Sequence, residues 1–273
     1  MRWTLLIAML MLSLSSTAQC ERENEAFKHG EVLNYDLYYN WKFVWVKAGS
    51  AQMDITQTRY HGKSAFKANL ITRGSKQADK IFIFRDTLVS YCTDKLVPLY
   101  YKKAAREGKR YYIDEVWYTY PEGKNVINNR HVSSKGVVSK EQLSSNSCIY
   151  DMVSMLLQAR SFDASKYKVG YKIKFPMTEG SKIVNETVIY RGKKVIEVND
   201  KKKYNTLVFS FVEYDKKNKE KEVITFYITN DKNHIPIRLD MFLSFGSAKV
   251  ILNQIKGNRH PLTSIVKEKK KNR

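Results

Sequence analysis

The sequence predicts a mainly β fold: one antiparallel domain that wraps a single central amphipathic helix. Three observations carry this. Apolar and polar residues alternate with a period of two along most of the chain. Clusters of turn-forming residues punctuate the alternating runs. Only one stretch, near the middle, carries an apolar stripe at helical spacing.

The opening run LNYDLYYNWKFVW, residues 33–45, puts Leu33, Tyr35, Leu37, Tyr39, Trp41, Phe43 and Trp45 at odd positions, so one strand would turn them all to the same face. Ala51, Met53 and Ile55 then alternate with Gln52, Asp54 and Thr56. The turn YHGK (60–63) leads into Phe66, Ala68 and Leu70, which completes a hairpin. The segment ADKIFIFRDTLVSY (78–91) fits either a short helix or a strand. LVPLYYKKAA, RYYIDEVWYTY and the residues around Val126 and Ile127 read as three strands, joined at EGK (107–109) and PEGK (121–124), where glycine permits positive φ.

The helix follows. Asn146 or Ser147 can cap it, and Ile149, Met152, Val153, Leu156 and Leu157 form its apolar stripe up to about Arg160. Gln158 and Arg160 are expected to face outward. A second meander occupies residues 171–255. About ten strands and one helix emerge, with no repeat of fixed period and with the two halves readable as two sheets of one wrapped structure. Lysine-rich loops and strand flanks discourage edge-to-edge association.

The first 18 residues read as a secretory signal peptide. Arg2 precedes an apolar run from Leu5 to Leu14, too short for a membrane span of ~20 residues, and Ser16 and Ala18 occupy the small-residue positions before a cut. Cys20 opens a lipoprotein alternative, but Gln19 stands where a small residue normally precedes a lipidated cysteine. The expectation is an exported, periplasmic protein cleaved near Ala18, with one β-rich domain over 19–266 and a basic disordered tail, KEKKKNR, over 267–273. No later segment is apolar enough to be a transmembrane segment.

The formal net charge is +21, and the tail accounts for only a small part of it. Export replaces nucleic acid with other anionic partners: phospholipid and lipopolysaccharide phosphates, acidic glycans or acidic proteins of the envelope. A basic surface that serves solubility alone is the competing reading. Cys92 and Cys148 lie within the body, and an oxidising compartment permits a disulfide between them. Two buried apolar cysteines are the alternative.

Motifs for catalysis are missing. His29, His61, His131, His234 and His260 are isolated and read as solvated loop residues, with no HxH, HExxH or CxxC spacing to hold a metal. There is no GxSxG and no GxxxxGK[ST], so no catalytic residue and no cofactor is expected. Asp114 and Glu115 are adjacent, which within a strand sends them to opposite faces. Asp86, Asp151 and Asp240 are single acids whose expected partners are Arg85, Arg160 and Arg238. A carbohydrate-active enzyme would need an acid pair facing one cleft.

The aromatic residues remain. Tyr111, Tyr112, Trp117, Tyr118 and Tyr120 make both faces of one strand aromatic. Core burial alone explains them, at roughly 1.5–3 kcal/mol for each large apolar side chain. Tyr and Trp also carry a polar tip that suits a ligand-bearing cavity. The candidate ligand-binding set is therefore Tyr39, Trp41, Trp45, Trp117 and Tyr118 for the apolar part, with Lys102, Lys103, Arg106 and Arg110 for an anionic head.

GEVLNYDLYYNWKFVWVKAGSAQMDI resembles the opening of an exported bacterial family, the domain of unknown function 3108. There a Gly-Glu and a Tyr-rich strand run into a lysine-alanine-glycine turn, represented here by Gly30, Glu31, Tyr35, Tyr39, Lys47, Ala48 and Gly49. YDMVSMLLQAR and NDKNHIPIRLDMFLSFGSAKVIL are similar to its middle and C-terminal blocks, and the resemblance spans residues 27–256. It implies an envelope protein built as a curved antiparallel β-roll or open β-barrel, and it assigns no catalytic residue. Non-enzymatic binding of an amphipathic or anionic envelope ligand is the expected function. An envelope scaffold or assembly factor, binding a protein through an exposed β edge or aromatic patch, is the alternative.

Overall fold

The computed structural model describes residues 20–41, 43–198, 201–243 and 246–267. The expected signal peptide, the cut near Ala18 and all but the first residue of the basic tail lie outside the described residues, as does the side chain of Trp41. Alternating sequence becomes strand throughout. The first half forms β1 (Glu31–Trp41), β2 (Val44–Tyr60), β3 (Lys63–Gly74), β4 (Phe84–Cys92), β5 (Pro98–Glu107), β6 (Arg110–Thr119), β7 (Asn125–Val132) and β8 (Val138–Ser145). The second forms β9 (Lys172–Glu179), β10 (Lys182–Glu197), β11 (Lys203–Tyr214), β12 (Glu220–Thr229), β13 (Pro236–Leu243) and β14 (Gly246–Lys256).

All fourteen belong to one antiparallel sheet, in the order β8-β7-β6-β5-β4-β3-β2-β1-β14-β13-β12-β11-β10-β9. Consecutive strands are neighbours because short hairpins allow only antiparallel return. The exception is the seam where β1 meets β14, with Leu33 opposite Ile255 and Tyr39 opposite Ala248. The expectation of two sheets gives way to one continuous ribbon whose edges are β8 and β9. The ribbon curls until its ends approach: Asn129 on β7 donates to the carbonyl of Gly180, in the β9–β10 turn, at 3.1 Å. The edges do not pair, so the barrel stays open.

Helix α1 (Met152–Ala159) links β8 to β9. Its cap is Asp151, not Asn146 or Ser147. Asp151 Oδ1 accepts from the backbone N–H of Val153 and Ser154 at 2.9 and 2.8 Å, and Ser154 Oγ accepts from the Asp151 N–H. The start is delayed because Tyr150 is still pairing with β9, donating to Pro176 and accepting from Thr178. Val153 and Leu157 enter a core with Leu33, Tyr35, Ile55, Leu88 and Tyr118. Met155 and Leu156 pack on a second cluster around Phe175, Tyr190 and Phe209.

Gln158 and Arg160, expected outward, are buried. The segment leading to β1 covers that side of the helix: Gln158 Nε2 donates to the carbonyls of Cys20 and Leu96 at 3.2 and 2.9 Å. Arg160 pairs with Glu31 in full burial and also donates to the Asn233 carbonyl at 2.9 Å.

The same segment changes the disulfide. Cys20 bonds Cys148, with Cα atoms 5.4 Å apart, and Cys92 is a free buried thiol. The Cys92–Cys148 bridge that an oxidising compartment would permit does not form, because Cys92 faces the core from β4 while Cys148 sits at its margin beside Val97. Burial also pushes the Cys92 thiol well above its ordinary range. A Cys20 sulfur held in a disulfide has no valence left for a lipid thioether.

The aromatic run of residues 33–45 is not one strand. β1 ends at Trp41, Phe43 sits in the turn at φ 70°, and Trp45 on β2 lies opposite Asn40. Trp45 therefore shares the face of Asn40, not that of Tyr39. The Lys47-Ala48-Gly49 motif is a bulge inside β2 rather than a turn, since Leu37 pairs with Gly49 and Tyr38 with Lys47. Gly49 is required there: a Cβ would lie 2.2 Å from the Arg73 carbonyl oxygen. The ambiguous segment 78–91 resolves into a short 3-10 turn, Ala78–Lys80, followed by β4.

Candidate functional site

Strand register creates a feature that the linear sequence hides. Arg73 on β3 stands directly opposite Arg85 on β4, Arg85 opposite Arg106 on β5, and Arg106 opposite Tyr111 on β6. Directly opposed residues share a face of the sheet, so three guanidinium groups line up as neighbours. Like charges in this relation destabilise a sheet. Asp79 offsets part of the repulsion by pairing with Arg85. The carboxylate fits because residue 74 is glycine: a Cβ there would come 2.7 Å from Asp79 Oδ1.

Beside Arg85 and Arg106 lies an open recess of about 470 Å³. Thr87 and Ala104 are its small residues, while Arg85, Arg106, Lys109 and Tyr111 supply long ones. Arg73, Arg85, Arg106 and Lys109 are all solvent-exposed, and so is Tyr111. The Phe82 ring lies over Gly108 in the neighbouring turn, 3.1 Å from where a Cβ would project. Four cations, one carboxylate and adjacent aromatic rings suit an anion with an attached apolar group. A second recess, of about 310 Å³, adjoins the disulfide between Tyr150 and Phe162. Its Arg22 is already committed to Gln158 and to the Ser161 carbonyl.

Arg106 is the expected residue that lines the larger recess, and the others disperse. Arg110 is exposed, 3.9 Å from Glu107. Lys102 lies on the outer face, 3.8 Å from Glu115. Lys103 lies on the opposite face over the Tyr112 ring, 3.7 Å from Glu107. Burial lowers the Lys103 pKa, but Tyr112 and the acids Asp86 and Glu107 outweigh that and leave it raised. Trp117 joins an outer-face row of rings, 5.5 Å from Tyr100, which continues to Tyr91 and Tyr60. Tyr118 is buried beneath α1 with its hydroxyl 3.3 Å from Asp151 Oδ2, which removes it from any accessible site. Tyr39 is partly buried beside Gly246, and Trp45 is covered by the Lys249 ammonium at 3.9 Å. The enclosed aromatic cavity expected for these residues is replaced by packed core, because α1 and the segment before β1 fill the inside of the ribbon.

The acids also sort by face. Asp114 meets His131 Nδ1 at 2.6 Å, while Glu115, on the other side of β6, accepts from Tyr100 and Arg130. Arg238 pairs with Asp240 as expected, but Arg85 and Arg160 choose Asp79 and Glu31. Asp86 is left with a buried oxygen that has no partner, and burial raises its pKa to about 6. His131 lies within β7, and His234 Nδ1 donates to the Arg160 carbonyl at 2.6 Å, so neither is a solvated loop histidine. No group of three or more His, Cys, Asp or Glu side chains among the described residues could hold a metal ion. Nor is any described helix long and apolar enough to cross a membrane.

Comparison with known proteins adds two findings. The model of the family described as protein of unknown function DUF3108 matches residues 34–253. The structure is similar to a crystal structure of a β-barrel-like protein of domain of unknown function DUF1849 from Brucella abortus, with a TM-score of 0.51 and 11% identity. That alignment covers 85% of this chain and 98% of the other, and at this identity the likeness is one of fold. No curated protein matches.

Proposed function

The chain belongs to the DUF3108 family, and from that premise and the recess on β4–β6 we propose that it is an exported envelope protein that binds an anionic amphiphile without catalysis. The arginine row is the observation that carries the reading. A sheet gains nothing from three opposed guanidinium groups unless an anion neutralises them. The head would lie across Arg73, Arg85 and Arg106, with Lys109 at the margin, and the apolar part would rest against Tyr111 and Phe82. The Cys20–Cys148 disulfide agrees with an oxidising compartment.

Dodecyl phosphate below its micelle concentration, inorganic phosphate and dodecanol, each titrated calorimetrically, test the reading. Dodecyl phosphate should bind more tightly than either half alone, and Arg85→Ala/Arg106→Ala should weaken it roughly tenfold or more, since each charge-assisted hydrogen bond is worth ~1.5–3 kcal/mol. Equal binding by the double variant would rule the site out.

β8 supports a second reading, as a scaffold. It stands at the edge of the sheet with most of its side chains exposed, and its outer flank can accept a strand from an envelope protein. Photo-crosslinkers along β8 that capture one saturable partner, in a protein that binds no amphiphile, would favour it.

A further inference from the structure

The hairpins of this sheet alternate between its two ends, and the ends differ in chemistry. The β1–β2, β3–β4, β5–β6, β7–β8, β9–β10, β11–β12 and β13–β14 connections all fall at one end. That end displays Phe43 at 97% exposure, Ile81 at 74% and Val137 at 64%, with Phe82 and Phe242 also exposed. At the opposite end Leu96 in the β4–β5 turn and Ile235 before β13 are fully buried, and although Val195 and Val266 are exposed there, the exposed phenylalanines among the described residues, Phe43, Phe82 and Phe242, all stand at the first end. Composition does not explain this asymmetry, because both sets of turns come from the same alternating chain.

The β1–β2 hairpin carries the most exposed of these residues, Phe43. It continues five residues beyond the last β2–β3 pair, Gly49 with Gly74, a reach of about 16 Å at strand rise. At its apex Phe43 holds φ 70°, a conformation that a bulky side chain adopts only at a cost. A two-residue hairpin turn calls for positive φ, and here a phenylalanine rather than a glycine or asparagine occupies that place. Around the tips stand exposed lysines: Lys76, Lys80, Lys109, Lys135, Lys182 and Lys217. Apolar tips ringed by cations complement a surface that is negative outside and apolar beneath, where aromatic and aliphatic side chains enter the acyl boundary and lysines meet phosphates. Scattered single exposed residues would need no explanation, but their gathering at one end does.

We propose that the hairpin end beginning with Phe43 is a docking face for an anionic lipid bilayer, entered by the Phe43, Ile81, Val137 and Phe242 tips and held by the surrounding lysines. Apart from Lys109 and Phe82 this rests on residues outside the ligand recess, so it does not depend on the ligand reading.

The test is co-sedimentation of the mature chain with vesicles of phosphatidylcholine alone and of phosphatidylcholine mixed with phosphatidylglycerol. The protein should pellet with the mixed vesicles, bind less as salt rises, and shift its tryptophan emission to the blue, with Trp45 next to the entering tip. Phe43→Ser/Val137→Ser, two exposed positions away from the recess, should keep the wild-type Tm and dodecyl phosphate affinity but lose vesicle affinity roughly tenfold or more. Vesicle binding that persists in Arg85→Ala/Arg106→Ala would support docking even if the ligand reading fails. Three outcomes would overturn the proposal: no pelleting at low salt, equal affinity for neutral vesicles, or unchanged vesicle affinity in the serine variant.

Discussion

Arg160 and Glu31 face each other at 1% and 0% side-chain exposure, with the Phe27 ring 5.3 Å from the guanidinium. The pair joins the end of α1 to the start of β1, and Arg160 also holds the Asn233 loop. Removing one partner leaves a charge in the core, so Glu31→Gln or Arg160→Met should cost about 3–5 kcal/mol in urea unfolding, and a double apolar replacement far less. Asp86 gives a pH signature. Burial raises its carboxyl to about 6, so the folded protein binds that proton more tightly than the unfolded chain does. Stability is therefore lost as pH rises from about 4, the ordinary Asp value, through about 6. Asp86→Asn should raise Tm at neutral pH, and the gain should vanish near the lower limit; a gain independent of pH would contradict the assignment. Neither the partner of Glu31 nor the lack of one at Asp86 was readable from the sequence. The Glu31 pairing depends on which segment folds over α1, and the burial of Asp86 on the register of β4 with β5.

At the scale of elements, period-two alternation was sufficient for strands with one face in the core, such as β2 and β6, but left β4 open between helix and strand. It failed for β8, whose VSKEQLSS has no buried face and hence no alternation to read. The apolar stripe located α1 but misplaced its cap, because hydrogen bonds to β9 hold Tyr150 extended. It also misjudged Gln158 and Arg160, since a stripe shows which face is apolar and not whether the other is covered. The Cys20–Cys148 bridge fixes that cover, closing a separation of 128 residues. Its loss through Cys148→Ser should destabilise the protein by about 2–4 kcal/mol, and reductant should do the same to wild type. Intact-mass analysis of the purified protein checks the pairing, since a lipid on Cys20 and this disulfide exclude each other.

Across the whole molecule, one sheet curls round a helix and a returning N-terminal segment. The interior is thereby filled, and the arginine row and the row of rings from Trp117 to Tyr60 stand on the outer face. Composition and periodicity by themselves determined the β class, the single central helix, the strong basicity and the antiparallel meander, because alternation and turn chemistry act between residues close in sequence. Tertiary structure alone decided the arginine row, the disulfide partner, the Arg160–Glu31 pair and the gathering of apolar tips at one end. Each of these depends on strand register or on which distant segment covers another, and a register slip of one residue would turn every side chain of a strand to its other face.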